Sequence, residues 1–363
     1  MAPHAQGPPD MPSPSHAGRP LSIALTADPE IPVPPTLYGG IERIVDMLAR
    51  GLETRGHDVT LFAHPDSASA GRLVPWPGGA SPSRLDTLRN AACLYREVRK
   101  GSFDLLHSFS RLAYMAPLLP TRLPKIMSYQ RAISPQTTAL AQRLSGGSLA
   151  FTAISHWMME PVKHIGRWHM VANGVPLETY TFQREVAPDA PLVFLGRIEE
   201  IKGPHLAIEI ARRSGHRLVI AGNIPADKQS WFDAEIAPHI DGQQISLIGP
   251  VDDAAKNRLL GQAKAFLMPI LWEEPFGIVM AEALACGTPV LGLRRGAVPE
   301  VVEDGVTGFV RDTVDELVAA VGLIDQLNRG ACRDACADRY SADAIVDQYL
   351  HCYEQVRKAS VSK

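Results

Sequence analysis

The chain of 363 residues has few cysteines, few aromatic residues and no strong net charge. Its five cysteines are scattered and form no C-x-x-C pair, which excludes a disulfide scaffold and a cysteine-based zinc site. The net charge of −3 gives no electrostatic reason to expect a nucleic-acid partner. Apolar runs such as Leu21–Ala27 and Phe266–Trp272 are far shorter than the about 20 residues that span a bilayer. We therefore expect a cytoplasmic protein with reduced thiols and no transmembrane segment, while peripheral membrane contact stays open.

Several motifs of common α/β proteins are also missing. The chain has no G-x-G-x-x-G dinucleotide fingerprint, no G-x-x-x-x-G-K-[ST] phosphate loop and no G-x-S-x-G nucleophile elbow. It also lacks two aspartates spaced two apart, the pair that would hold a metal-bound nucleotide. An α/β protein without these motifs has to hold its ligand in another way.

The hydrophobic pattern divides the chain into a tail and two α/β halves. Residues 1–20 carry six prolines and almost no large apolar side chain, which predicts a disordered tail. Beyond the tail, short apolar segments alternate with helical patterns, which predicts parallel sheets covered by helices on both faces. We expect one domain at residues 21–172, a linker at 173–191 and a second domain at 192–342. Ligands of such sheets bind outside the carboxyl ends of the strands, here in the cleft between the domains.

Individual helices are predicted from the spacing of apolar residues. In the first half the pattern predicts helices over residues 41–55 and 155–165. In the second half it predicts helices over residues 228–240 and 277–286. A last helix at about residues 343–357 follows the second sheet, and its pattern does not say where it packs.

A loop with two cations follows the first predicted strand of the second half. Arg197 and Lys202 lie in this loop just before a predicted helix, so two charged side chains meet the free N–H groups of a helix start. This combination is typical of an anion site on which both side chains would converge. The alternative is a solvated loop, in which the two cations pair with Glu199 and Glu200.

Two glutamates mark a second loop and the helix after it. Glu274 follows a predicted strand, and Gly277 opens a helix whose N-terminus suits a phosphate. Glu282 lies roughly 7–8 Å further along that helix, among apolar neighbours. A carboxylate in such surroundings needs donors, which are either the hydroxyls of a diol such as ribose or a nearby cation.

These residues resemble glycosyltransferase family 4, whose members are retaining, nucleotide-sugar-dependent enzymes of the GT-B fold. Glu274 and Glu282 form an E-x7-E motif, and the resemblance extends over essentially residues 21–357. The other segments that carry it are Tyr38–Arg43, Gly56–Leu61, Phe103–His107, Val171–Val175, Gly196–Gly203, Pro275–Gly277, Cys286–Val290 and Pro299–Phe309. The resemblance implies two Rossmann-like, doubly wound parallel-sheet domains that face an interdomain cleft, with the final helix crossing back onto the first domain.

The resemblance also implies roles for single residues. Arg197 and Lys202 would neutralise the donor diphosphate, Glu274 would contact the transferred sugar, and these three are the catalytic candidates. Glu282 would hold the ribose hydroxyls. The full donor-binding set that the resemblance implies is Gly39, Gly40, Arg197, Lys202, Glu274, Phe276, Gly277, Ile278, Val279 and Glu282.

Two residues are candidates for the sugar or acceptor side. Gln130 stands where many members of the family carry a histidine near the donor sugar. Glutamine can hydrogen-bond a hydroxyl but cannot become a cation near neutral pH. His107 ends a predicted buried strand, so it is either part of the site or a buried structural histidine.

The activity that the resemblance implies is transfer of a hexose with retention. The donor would be a nucleoside-diphosphate sugar, by default UDP-glucose, and the acceptor a hydroxyl of a small molecule, lipid or saccharide. We expect neither a cofactor nor a metal, because Arg197, Lys202 and the helix start at Gly277 would stabilise the leaving phosphate. The alternatives are another GT-B enzyme, such as a phosphorylase or an epimerase, and a non-enzymatic sugar-binding protein with two α/β domains.

Overall fold

The computed structural model describes residues 19–35, 39–69 and 71–361. Residues 1–18 of the predicted tail lie outside this range, and so does Tyr38. Among the described residues, no helix is both long enough and apolar enough to cross a membrane.

The first half of the chain forms one parallel sheet of seven strands in the order β3-β2-β1-β4-β5-β6-β7. The strands are β1 (Ser22–Thr26), β2 (Asp58–Ala63), β3 (Arg72–Pro75), β4 (Leu105–Ser108), β5 (Lys125–Tyr129), β6 (Leu149–Ala153) and β7 (Trp168–Met170). The helices are α1 (Gly40–Thr54), α2 (Arg84–Lys100), α3 (Pro135–Leu144) and α4 (His156–Met159), with a 3₁₀ helix at Leu112–Leu118. The central strands are buried along almost their whole length because helices cover both faces.

The second half forms a parallel sheet of six strands in the order β10-β9-β8-β11-β12-β13. The strands are β8 (Leu192–Leu195), β9 (Leu218–Ala221), β10 (Ile245–Gly249), β11 (Ala265–Met268), β12 (Val290–Leu293) and β13 (Gly308–Arg311). The helices are α5 (Pro204–Ser214), α6 (Gln229–Glu235), α7 (Asp253–Gly261), α8 (Ile278–Ala285), α9 (Val298–Val301), α10 (Val314–Val321), α11 (Arg329–Tyr340) and α12 (Ala342–Val361). Two doubly wound parallel sheets confirm the fold class predicted from the sequence.

Both sheets reverse their chain order at the centre, and this positions the site. The reversal lies between β1 and β4 in the first sheet and between β8 and β11 in the second. Loops diverge at such a switch point and leave a crevice in which α/β proteins bind ligands. The loops that carry Lys202 and Glu274 follow β8 and β11, so they lie at the switch point of the second sheet.

Two predicted helices are too long, and proline explains both errors. The helix predicted over residues 155–165 is α-helical only in α4, because Pro161 has no N–H to donate to the carbonyl four residues before it. The helix predicted over residues 228–240 ends with α6, and Pro238 lies in a short 3₁₀ turn after it.

The chain crosses between the two halves twice, and the crossings lie side by side. Val175 on the first crossing donates its N–H to the carbonyl of Tyr340, over 2.8 Å. Ala342 on the second crossing donates its N–H to the carbonyl of Val175, over 3.0 Å. After the second crossing α12 packs on the first half, where Asp347 pairs with Arg55 of the turn after α1 at 3.0 Å.

Candidate active site

The loop after β8 is held against the end of β11 by a close backbone approach. Gly203 has a φ of +76° and caps the start of α5. A Cβ at this position would lie 2.0 Å from the carbonyl oxygen of Pro269, so only glycine fits there. The close approach brings Lys202 to the loop that follows β11.

Lys202 and Glu274 form an ion pair in this crevice. Lys202 Nζ donates to Glu274 Oε2 over 2.7 Å, and Trp272 Nε1 donates to the same oxygen over 3.1 Å. Lys202 Nζ also lies 4.6 Å from the centre of the Trp272 ring. Both charged side chains are mostly buried, with 18% and 12% of their surface exposed. The sequence predicted both residues in the site, whereas Trp272 was not expected to take part.

A neighbouring loop fixes the backbone of Glu274. Gly296 has a φ of +50°, and a Cβ there would lie 2.3 Å from the Glu274 carbonyl oxygen. Ala297 donates its N–H to that same carbonyl over 2.8 Å. Gly277 then caps α8 without a side-chain cap, so the first N–H groups of α8, at Ile278 and Val279, have no partner from within the helix. Phe276, by contrast, is buried in the core.

Arg197 does not share an anion with Lys202 in this structure. Its guanidinium is about half exposed and lies 2.8 Å from Glu199 Oε1. This is the pairing that the sequence offered as the alternative to an anion site. Each cation thus lies beside a different carboxylate, and convergence of Arg197 and Lys202 on a diphosphate stays a prediction.

Glu282 has a nearby cation, which is one of the two partners between which the sequence left a choice. Its Oε1 accepts hydrogen bonds from Tyr180 Oη over 2.7 Å and from Lys256 Nζ over 2.6 Å. Burial and the negative charge of Glu282 raise the pKa of Tyr180, so the hydroxyl stays protonated and donates. Glu282 also lines a cavity of about 740 Å³ between α1 and α8. No sequence motif pointed to Tyr180 or Lys256, since each reaches Glu282 only through the tertiary fold.

Gly39 and Gly40, the two glycines of the predicted donor-binding set in the first half, lie at the start of α1. Gly39 precedes the helix and is buried, whereas Gly40 is its first residue and is exposed. One turn later, Arg43 pairs with Asp253 of α7 over 2.8 Å. The start of α1 therefore lies against the second half.

The two sugar-side candidates occupy different surroundings. Gln130 follows β5 and lines a cavity of about 500 Å³. Its Nε2 is buried and has no hydrogen-bond partner among the described residues. His107 is fully buried instead, and its ring nitrogens bond Tyr353 Oη over 2.7 Å and Ser128 Oγ over 2.6 Å. Burial lowers the pKa of His107 to about 3, so His107 is a neutral structural residue and not a site residue.

The described residues contain no group of three or more His, Cys, Asp or Glu side chains arranged to hold a metal ion. The five cysteines are free and buried.

Two family models match the chain one after the other. The model of Glycosyltransferase Family 4 matches residues 38–179, and the model of Glycosyl transferases group 1 matches residues 181–338. Among curated relatives, phosphatidyl-myo-inositol mannosyltransferase of Mycobacterium tuberculosis is 28% identical, over 88% of this chain and 93% of the relative.

Solved structures show the same fold. AviGT4, a glycosyltransferase involved in avilamycin A biosynthesis, superposes with a TM-score of 0.70 and 24% identity, over 93% of this chain and 98% of AviGT4. Anabaena HepE in complex with UDP-glucose has a TM-score of 0.68 and 17% identity, over 92% of this chain and all of HepE. The two family matches support the glycosyltransferase prediction over the phosphorylase, epimerase and sugar-binding alternatives. The chain belongs to glycosyltransferase family 4 and has the GT-B fold.

Proposed function

We propose that this protein is a retaining hexosyltransferase that uses a nucleoside-diphosphate sugar and needs no metal. The observation that carries this proposal is the Lys202–Glu274 pair beside the uncapped start of α8, at the switch point of the second sheet. A cation and free N–H groups bind a diphosphate there, and the adjacent carboxylate contacts the sugar next to it.

The difficult step is departure of the nucleoside diphosphate, which leaves an oxocarbenium-like sugar. Lys202 and the start of α8 stabilise the negative charge that develops on the leaving phosphate. Arg197 joins them by turning from Glu199 to the diphosphate, since it is half exposed and free to change rotamer. The leaving phosphate oxygen accepts the proton of the acceptor hydroxyl, and the sugar is then attacked from the face that the phosphate left, which retains its configuration.

Glu282 holds the ribose of the donor. Its bonds to Tyr180 and Lys256 both use Oε1, and they keep the carboxylate oriented in the cavity of about 740 Å³. Its Oε2 then accepts hydrogen bonds from the ribose hydroxyls.

UDP-glucose remains our default donor, and a mannose donor is the second candidate. Anabaena HepE was crystallised with UDP-glucose, whereas the curated mycobacterial relative is a mannosyltransferase. The acceptor hydroxyl belongs to a small molecule, a lipid or a saccharide. The cytoplasmic location stays a prediction from the sequence.

The two glutamates separate donor binding from transfer. Glu282→Ala should weaken binding of the free nucleotide by about 1–3 kcal/mol, because it removes hydrogen bonds to a charged group. Glu274→Ala should leave nucleotide affinity unchanged or higher, because Lys202 loses its competing carboxylate, and should reduce transfer. Calorimetry with UDP and GDP, followed by nucleotide release from UDP- and GDP-sugars in excess EDTA, measures both effects.

Glu209→Ala, an exposed carboxylate on α5, is the matched control and should change neither quantity. Equal losses of nucleotide affinity in Glu274→Ala and Glu282→Ala would contradict the assignment of roles. Loss of activity in EDTA with recovery in Mg²⁺ would contradict the metal-free mechanism.

A further inference from the structure

Two cavities of the first half meet at three residues that follow neighbouring strands. Asp28 follows β1, Arg111 follows β4 and Arg131 follows β5, and all three line both cavities. The cavities have volumes of about 500 and 590 Å³. The carboxyl ends of these strands form the ligand-binding edge of the sheet. The joined space therefore opens where an acceptor has to meet the donor.

The cavity of about 590 Å³, here called the polar cavity, is rich in charge. Its charged lining residues are Asp28, Glu30, Glu42, Arg111 and Arg131. Three carboxylates against two guanidinium groups make the polar cavity acidic, which disfavours an anionic ligand. Asp28 Oδ1 is buried without a hydrogen-bond partner among the described residues, while Oδ2 lies 3.7 Å from Arg131. A hydroxyl satisfies Oδ1 because it can donate a hydrogen bond.

The cavity of about 500 Å³, here called the apolar groove, lies between the 3₁₀ helix and α3. Leu140 and Leu144 of α3 line it, although they are 58% and 49% exposed. Exposed leucines that line a groove leave apolar surface for a ligand to cover. Gln130 Nε2, also in this groove, is a buried donor without a partner among the described residues. A ligand that carries both a hydroxyl and an apolar group matches the whole space.

We propose that the acceptor is an amphipathic molecule with an uncharged, hydroxyl-bearing head in the polar cavity and an apolar group in the apolar groove. The head places one hydroxyl at Asp28 and another at Gln130, on the adjoining side of the apolar groove, and the apolar group packs against Leu140 and Leu144. This assignment rests on the proposed transfer reaction and names the chemical class of its acceptor. The three carboxylates of the polar cavity disfavour a phosphorylated head.

The test compares binding of hexyl β-glucoside and methyl β-glucoside, below the micelle concentration, to the full-length protein. The two probes share one head, so their difference reports the groove alone. Hexyl glucoside should bind at least about tenfold more tightly, since it buries several additional methylene groups. Leu140→Asp should abolish this preference. Leu85→Asp is the matched control, because Leu85 is 57% exposed on α2 and lines neither cavity, and it should keep the preference.

Asp28→Asn tests where the head binds, and it should weaken the binding of both glucosides by a similar factor. Equal binding of the two glucosides, equal effects of Leu140→Asp and Leu85→Asp, or tighter binding of hexyl phosphate than of hexyl glucoside would each overturn the proposal. Binding of UDP and GDP by the same variants separates the proposed transfer reaction from the proposed acceptor class. If no nucleotide binds, the proposed transfer reaction is wrong. If nucleotides bind normally but hexyl glucoside shows no preference that depends on Leu140, only the acceptor assignment is wrong.

Discussion

Lys125 is fully buried at the start of β5, far from the strand ends that form the site. Its Nζ donates to the carbonyls of Thr121 and Leu123, over 2.8 Å each. Burial lowers the pKa of Lys125 to about 7. In the unfolded chain a lysine has a pKa of about 10.4, so between these two values the unfolded state binds more protons than the folded state. The free energy of unfolding therefore rises with pH over this interval and is lowest below about pH 7, where Lys125 is charged in both states.

Replacing Lys125 with methionine should remove this pH dependence. Between about pH 7.5 and 9, the unfolding free energy of the wild type should rise relative to Lys125→Met by at most about 1.4 kcal/mol per pH unit. Urea denaturation at several pH values measures this difference, in which other titrating groups cancel. Lys100→Met, at a position that is 68% exposed, serves as the control and should follow the wild type. If the unfolding free energies of Lys125→Met and the wild type change with pH in the same way, the buried-charge argument is refuted.

At the residue scale, the sequence predicts which residues belong to the site better than it predicts which side chains pair with each other. Lys202 and Glu274 were both predicted in the site, but their ion pair joins residues 72 positions apart and depends on β8 and β11 being neighbours. His107 was predicted at the end of a buried strand. Its partner Tyr353 is 246 positions away, so only the fold shows that both ring nitrogens are already satisfied.

At the scale of elements, α9 of the second half holds α4 of the first. Both carboxylate oxygens of Glu300 accept backbone N–H groups at the start of α4, from His156 and Trp157, over 2.7 Å each. The carbonyl of Glu300 accepts hydrogen bonds from Arg339 and from Tyr340 Oη. One residue thus joins α4, α9 and α11 across the two halves.

Glu300→Gln should loosen this junction, because an amide offers one acceptor oxygen where the carboxylate offers two. We expect faster hydrogen exchange of the His156 and Trp157 amides and a loss of about 1 kcal/mol in the free energy of unfolding, since the contact is exposed. Exchange followed by mass spectrometry measures the first effect. Glu303→Gln changes an exposed glutamate just after α9 and is the control. Equal hydrogen-exchange rates of the α4 amides in the two variants would show that Glu300 does not hold α4.

Elements with strong periodicity could be predicted from the sequence, and short or unusual ones could not. Strand β7 has three residues at a sheet edge, which is too short for an alternating pattern. Helix α11 contains few large apolar residues. Its buried face consists of Cys332, Cys336 and Tyr340, spaced four apart, so two cysteines take the core positions of this helix.

At the scale of the whole molecule, one hydrophobic cluster joins the two sheets. It contains Leu48 of α1, Phe266 of β11, Leu284 of α8 and Tyr349 of α12. Each half also has a smaller cluster of its own, but the shared cluster makes the two cores continuous across the cleft. Because α12 follows the second sheet in the chain but packs on the first half, losing either half exposes apolar surface of the other.

We expect the two halves to unfold in a single transition. Trp76 in the first half and Trp231 in the second should report the same midpoint, and the calorimetric and van't Hoff enthalpies should agree. Tyr349→Ala removes a fully buried ring from the shared cluster and should lower the midpoint at both tryptophans, whereas Leu85→Asp should lower neither. Single-tryptophan variants followed by fluorescence during heating measure this. Two separate midpoints would refute the shared core.

The two-sheet architecture could be predicted because short apolar strands alternate with helices along nearly the whole chain. The packing of α12 followed only from the family resemblance, since an amphipathic helix at the end of a chain can cover either sheet. The shared cluster has no counterpart in sequence pattern, because it depends on contacts between distant segments.

The paired crossings at Val175 and Ala342 join the two halves by two adjacent stretches of backbone. A single flexible linker would let the halves turn about any axis. Two connections that are hydrogen-bonded to each other limit the relative rotation of the halves more than one connection would. The route of the backbone therefore helps to fix how the loops that carry Lys202 and Asp28 face each other across the cleft.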